Sequence, residues 1–338
     1  MRYIDCFNHF FPPVFFDKMI NSPGSIADIG KRIRGIPNIY QLEPRLKLVE
    51  SYDNYSQVLS LGLPPLDVFA GPNESPDFAR VANDGLAELC ARYPKHFTGW
   101  VSGLPMNNPD EAVKEAERAF RSGANGIQLH TNVGGLPLDD PRFFGIFEVA
   151  RKHDKPILLH PSRTAEIPDF TSESKSRFEI WTIFGWPFET SACMARLVFS
   201  GVMSKLPGLK IVTHHLGAMI PFFDARIRIG WGQIGTRTSD EDLSHIPAML
   251  GKPVVECFRD FYGDTALAGG RSGIVCGLDF FGADKVLFAT DAPFDPEGGH
   301  IYIRETIKSI GEIRMSDEER AKVCHVNAEK MFGIKPLA

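Results

Sequence analysis

At 338 residues, with 43% hydrophobic residues, 23% charged residues and 26 phenylalanines, the chain has ample material for a large buried core and reads as one barrel-sized domain spanning residues 1–338. Its net charge of −5 and pI near 6.1, with no basic run longer than Lys31-Arg32-Ile33-Arg34, leave no footprint for nucleic acid and favour a small-molecule partner. No apolar run reaches the roughly 18 residues that cross a bilayer, and the six cysteines are scattered without a close pair, so a cytoplasmic protein with reduced thiols and no membrane partner is expected.

In chain order, apolar runs of strand length recur at Tyr3 to Phe7, Gln57 to Leu61, Phe97 to Val101, Gly126 to Leu129, Pro156 to Leu159, Leu209 to Thr213, Phe258 to Tyr262 and Lys285 to Ala289. Segments of helical periodicity lie between many of them. Asn108 is placed to cap a helix over Pro109 to Ser122, in which Ala112, Ala116, Ala119 and Phe120 share a face. Asp140-Pro141 repeats the pattern ahead of Arg142 to Ala150, and Ser316-Asp317-Glu318-Glu319 is a capping box ahead of Arg320 to Phe332. This alternation predicts an α/β fold with a parallel sheet, and about eight strands predict its closure into a distorted (β/α)8 TIM barrel. Residues 20–44 and 162–185 are irregular and rich in Pro, Gly, Ser and charge, as lids or insertions over the strand ends would be.

Four of these strands end in a side chain able to bind an ion or carry a proton. His9 closes the first, His160 the Pro156 strand, His215 the Leu209 strand and Asp291 the Lys285 strand. In a parallel barrel the C-terminal strand ends form one site, which would gather residues far apart in the chain. Imidazole nitrogen together with carboxylate oxygen suits a divalent ion such as zinc or manganese, and a catalytic ion keeps about three protein ligands with a position open. His9, His160 and Asp291 supply that number, leaving His215 as an acid or base. If the strand continues that far, His214 faces away from His215 and is expected to pack behind the sheet. His130, closing the Gly126 strand, is either a site residue or a structural group.

The motifs Asp5-Cys6-Phe7-Asn8-His9-Phe10-Phe11-Pro12, Pro156 to Pro161, Gly185-Trp186-Pro187-Phe188-Glu189-Thr190, Leu209 to Pro221 and Thr290-Asp291-Ala292-Pro293-Phe294 resemble the amidohydrolase-2 branch of the amidohydrolase superfamily. That branch includes 2-amino-3-carboxymuconate-6-semialdehyde and γ-resorcylate decarboxylases. The likeness covers nearly the whole chain. It implies a metal-dependent barrel with His9, His160 and Asp291 as ligands and His215 activating water or shuttling a proton. It also implies a homo-oligomer, dimer or tetramer, and non-oxidative decarboxylation of an aromatic or unsaturated cyclic carboxylic acid. The alternative on the same scaffold is a hydrolase or hydratase of a ring carbonyl, lactone or amide. Arg226 also matches the family pattern, with a structural role.

One departure stands out. The family's first motif is His-x-His or Glu-x-His, whereas this chain has Phe7-Asn8-His9, and phenylalanine cannot coordinate an ion. Metal is therefore expected to be weakly held by His9, His160 and Asp291, or absent from a purely protic site. For a carboxylate-bearing substrate, Arg163 in the second lid segment offers a planar guanidinium, Trp186 a stacking surface and His130 a further polar contact.

Overall fold

A computed structural model describes residues 1–22, 29–238 and 240–336. Eight strands form the central sheet: β1 (Tyr3–His9), β2 (Tyr55–Ser60), β3 (Phe97–Gly103), β4 (Gly126–His130), β5 (Ile157–His160), β6 (Ile211–Thr213), β7 (Tyr262–Asp264) and β8 (Val286–Leu287). Every neighbouring pair is parallel and follows chain order. The last strand returns to the first through Cys6 N–H donating to Phe288 O at 3.0 Å and Asp291 N–H donating to Phe7 O at 3.1 Å, which nearly closes the barrel.

Alternation along the strands sorts the core into two clusters. Ile4, Cys6, Val58, Val101, Leu158, Val212 and Leu287 fill the interior, while Ile127, Leu129, Ile157, Leu159 and Ile211 face the helical shell. Ala328, Met331 and Phe332 of the last helix join the inner cluster. Arg2, just before β1, bonds Glu329 at 2.6 Å, so that helix closes the end of the barrel where the strands begin. The opposite end, at the strand C-termini, is left for chemistry.

The expected caps are present. Asn108 accepts a hydrogen bond from Glu111 N–H at the start of helix Pro109–Arg121, and Ser316 with Glu319 forms a complete capping box ahead of helix Asp317–Ala321. One strand is displaced from its expected place. The run Phe258 to Tyr262 is not a strand as such, because Val254–Phe258 is helical behind Pro253 and pairing begins only at Tyr262. Of the expected lid at 20–44, residues 23–28 lie outside the described set; Ile29–Arg34 is helical and Pro37–Ile39 forms a 3-10 turn. Residues 162–179 contain only bends and turns before the short helix Ile180–Ile183.

Candidate metal centre and active site

The strand alternation that aims Leu158 into the barrel aims His160 the same way, two residues further on. On β1 the register with β2 shifts between Asp5 and Asn8, and this bulge brings Phe7 and His9 to the mouth. Asp291 lies just past β8 in a left-handed conformation, φ 64°, which re-aims its carboxylate at His9. His9 Nε2 stands 3.0 Å from Asp291 Oδ1. The rings of His9 and His160 are 5.1 Å apart, edge to face. Three of the expected residues thus converge from β1, β5 and β8.

The fourth member of the cluster is His214, not His215: His9, His160, His214 and Asp291 offer ligand atoms that all lie within 4.8 Å of one another. His214 was expected behind the sheet on the premise of continued alternation. The strand instead stops at Thr213, and His215, Leu216, Gly217 and Ala218 all take left-handed backbone, φ 57°, 56°, 73° and 54°. Period-two alternation ends where the strand does, so His214 turns inward. Three non-glycine residues held this way within a run of four, with Asp291 opposite, store strain of the kind that collects at functional sites. His215 remains beside the cluster, its ring 4.1 Å from that of His214.

Each histidine of the cluster is oriented by the same device. Nδ1–H of His9 donates to Leu61 O at 2.8 Å, that of His160 to Pro161 O at 2.7 Å, and that of His214 to Asp264 Oδ2 at 2.7 Å. Binding the proton at Nδ1 leaves Nε2 as the lone-pair donor, the arrangement found at metal-ligating histidines. His214 Nε2 is buried without a hydrogen-bond partner among the described residues, 3.4 Å from Asp291 Oδ1. An orphaned nitrogen facing two other imidazoles and a carboxylate fits a divalent cation.

Electrostatics separate the histidines. Burial disfavours a charged His214, but the charges of Asp264 and Asp291 and the bond to Asp264 prevail and raise its pKa to about 10. Burial, then the His214 charge, lowers His215 to about 4. Burial and then His9 lower His130 to about 3, and burial with the surrounding imidazoles holds His160 well below its ordinary value. Asp291 resists the upward push of burial through His214 and His9 and stays a carboxylate, well below its usual range. A lone proton or a cation is therefore welcome at one place, between His214 and Asp291.

Phe7 lies where the departure from the motif put it. It is fully buried with its ring 4.1 Å from His214 and 5.7 Å from both His9 and His160. It forms the apolar floor on which the imidazoles rest. Asp5, behind it, is not a substitute ligand: its carboxylate accepts from Tyr55 O–H at 2.5 Å and Thr290 O–H at 2.6 Å.

The substrate-side residues fare unequally. Trp186 sits at the site, its ring 5.9 Å from His160, and its indole N–H donates to Arg163 O at 3.2 Å. The Arg163 guanidinium is engaged by Glu189 at 3.0 Å. His130 pairs in register with His160, ring to ring 5.7 Å. Arg226 falls in the exposed start of helix Asp224–Trp231. Arg32, from the first lid segment, lies over Phe294 at 5.3 Å, and Phe294 in turn packs on His9 at 5.5 Å. Asp264 was missed outright. An acid closing a strand was the readable signal, hidden because that strand was expected to end at Tyr262.

A parallel barrel carrying three histidines and an aspartate at its strand C-termini defines a metal-site enzyme scaffold of the hydrolase type. The chain belongs to the amidohydrolase family, whose model matches residues 4–334. It is 28% identical over 312 residues to 2-amino-3-carboxymuconate-6-semialdehyde decarboxylase of Dictyostelium discoideum, covering 91% of this chain and 81% of that one. It is 29% identical over 304 residues to γ-resorcylate decarboxylase of Rhodococcus jostii, covering 86% and 87%. Among solved structures, 5-carboxyvanillate decarboxylase of Novosphingobium aromaticivorans, complexed with manganese and 4-hydroxy-3-methoxy-5-nitrobenzoic acid, superposes with a TM-score of 0.84 at 22% identity, covering 98% of this chain and 96% of that one.

Proposed function

We propose that the protein is a metal-dependent, non-oxidative decarboxylase of an aromatic carboxylic acid. The observation that carries this reading is the convergence of three imidazole nitrogens and one carboxylate at the barrel mouth, in a chain whose relatives named above are decarboxylases. His9, His160, His214 and Asp291 would hold a divalent ion, zinc or manganese. When bound, such an ion acts as a Lewis acid that polarises a substrate oxygen. His214 takes the ligand position that Phe7 cannot fill.

The chain's own residues then have distinct tasks. Phe7 and the closing Trp186 keep the floor and wall apolar, which strengthens every charge interaction inside. Asp264 fixes the His214 ring. Asp291, a carboxylate throughout, steadies the imidazolium of His215, which is neutral at rest with Nδ1 unpartnered among the described residues and relays a proton taken up from solvent. It is added to the ring carbon that bears the carboxylate; the carbon–carbon bond then breaks, its electron pair restores the ring, and carbon dioxide leaves. Trp186 and His130 contact the substrate ring, and Arg163 supports Trp186 through its carbonyl. The described residues of the expected lid segments, 29–44 and 162–185, would cover the strand ends of this single domain.

A cytoplasmic location agrees with six cysteines that are all free. Among the described residues no helix is long and apolar enough to cross a membrane. A homo-oligomer is supported by large apolar side chains exposed on adjoining elements: Phe178 is 82% exposed, Phe184 71% and Phe222 75%. Light scattering showing a monomer at micromolar concentration would remove that part.

The deciding experiment supplies manganese or zinc and a panel of hydroxybenzoates labelled at the carboxyl carbon. Labelled carbon dioxide is the expected product. Labelled oxygen from water appearing in an organic product would instead identify a hydrolase or hydratase, and no product from any acid would overturn the proposal.

A further inference from the structure

Beside the metal centre lies a small cavity of about 20 Å³, room for one water-sized group. Gln128 and His130, two residues apart on β4 and therefore on the same inward face, line it together with Leu61, Leu104 and Met106. Its boundary with the cluster is close. A Cβ built on Gly62, in the cavity wall, would stand 3.4 Å from His9 Cβ, and His130 abuts His160.

The Gln128 side chain is 3% exposed, yet neither its Nε2 nor its Oε1 has a hydrogen-bond partner among the described residues, and the same holds for His130 Nε2. Three buried polar atoms at one small cavity are costly to leave unmatched. A core position would tolerate leucine there at no such cost. Nothing in the packing of β4 calls for an amide.

We propose that Gln128 and His130 form a specificity subsite for a hydroxyl, or an equally small neutral donor–acceptor, on the substrate ring, an assignment that rests on the decarboxylase reading for its substrate class. A hydroxyl both donates and accepts. The Gln128 amide can do the same, and His130 Nε2 takes either role with its tautomer. The cavity does not suit the carboxylate that is lost, because no cation lines it and Asp67 does. The scissile group therefore belongs at the metal centre and the hydroxyl at β4, which fixes how the ring lies across the barrel mouth. Sites built to bond a hydroxyl reject the analogue that lacks it strongly, since the protein's polar atoms are then stranded.

The test uses manganese-supplied full-length protein with salicylate and the 2,3-, 2,4-, 2,5- and 2,6-dihydroxybenzoates, measuring affinity by calorimetry and carbon dioxide release in parallel. One dihydroxy isomer is expected to bind at least about tenfold tighter than salicylate. In Gln128→Leu that ratio is expected to fall to about one, with a melting temperature equal to or above that of the unmutated protein. No isomer preferred over salicylate, a preference that survives Gln128→Leu, or a melting temperature lowered by several degrees would each overturn the subsite. Selective, Gln128-dependent binding without carbon dioxide release would overturn the reaction and leave the subsite standing. Carbon dioxide release with Gln128-independent selectivity would do the reverse.

Discussion

Two buried polar regions flank Phe7, and they are built on opposite terms. Behind it, Asp5 accepts from Tyr55 and Thr290, and Arg45 donates to Gln57 at 2.9 Å and Asn8 at 2.5 Å. Asn8 also donates to Val58 O at 3.1 Å. Among the described residues, one Arg45 nitrogen in this network lacks a partner. In front, His214 Nε2, His215 Nδ1, His130 Nε2 and both amide atoms of Gln128 are buried and have no hydrogen-bond partner among the described residues. A network that satisfies itself stabilises a seam, here between β1, β2 and the Asp291 loop. One that does not is arranged for something it has yet to bind.

The comparison can be broken at several points. The largest expected effect is on the open side: His160→Ala and Asp291→Ala should each lower carbon dioxide release by about a thousandfold or more and leave metal substoichiometric by elemental analysis, with the melting temperature within a few degrees of normal. Joint loss of fold and activity would make these residues structural. His215→Ala is expected to abolish most activity while retaining the ion.

On the closed side the pattern inverts. Arg45→Met should cost about 1–3 kcal/mol in denaturant unfolding, because the buried oxygens of Asn8 and Gln57 lose their donor; metal stoichiometry should not change. A loss below 1 kcal/mol would mean the network is decoration. Asp5 adds a pH signature. Burial, only partly offset by the bonds from Thr290 and Tyr55, raises its pKa from 3.8 to about 6. The folded state then binds this proton more tightly than the unfolded chain. The associated stability is complete below pH 4 and lost as pH rises through 6, about 3 kcal/mol in all relative to Asp5→Asn. Parallel stability curves for the two proteins between pH 4 and 7 would refute it.

The smallest effect sharpens the boundary between the regions. Asp264 is fully buried and holds the His214 ring by Nδ1. Asp264→Asn should weaken manganese affinity by about 10- to 100-fold, the usual consequence of loosening a ligand's support. Unchanged affinity in competition with a chelator dye would remove His214 from the ligand set.

Much of the fold is legible before any coordinates. All eight expected strand positions overlap the observed ones, the Phe258 run through Tyr262 alone, and the caps at Asn108 and Ser316 form as their chemistry requires. The miss at Phe258 has a local cause: Pro253 starts a helix that consumes the apolar run, and aromatic content alone does not separate a buried helix turn from a strand. That slip concealed Asp264. The exchange of roles between His214 and His215 has a different cause, since alternation predicts facing only while the strand lasts.

The sequence by itself determined the barrel and three of the four cluster residues, because strand periodicity and strand-end position are local properties that survive in one dimension. Only the tertiary structure decided that His214 turns in beside His9, His160 and Asp291, that Arg163 is already paired with Glu189, and that Gln128 is buried beside this cluster without a hydrogen-bond partner among the described residues. Each of these depends on where a chain departs from regular geometry and on which distant groups then meet it, and neither is encoded in the spacing of residues along a strand.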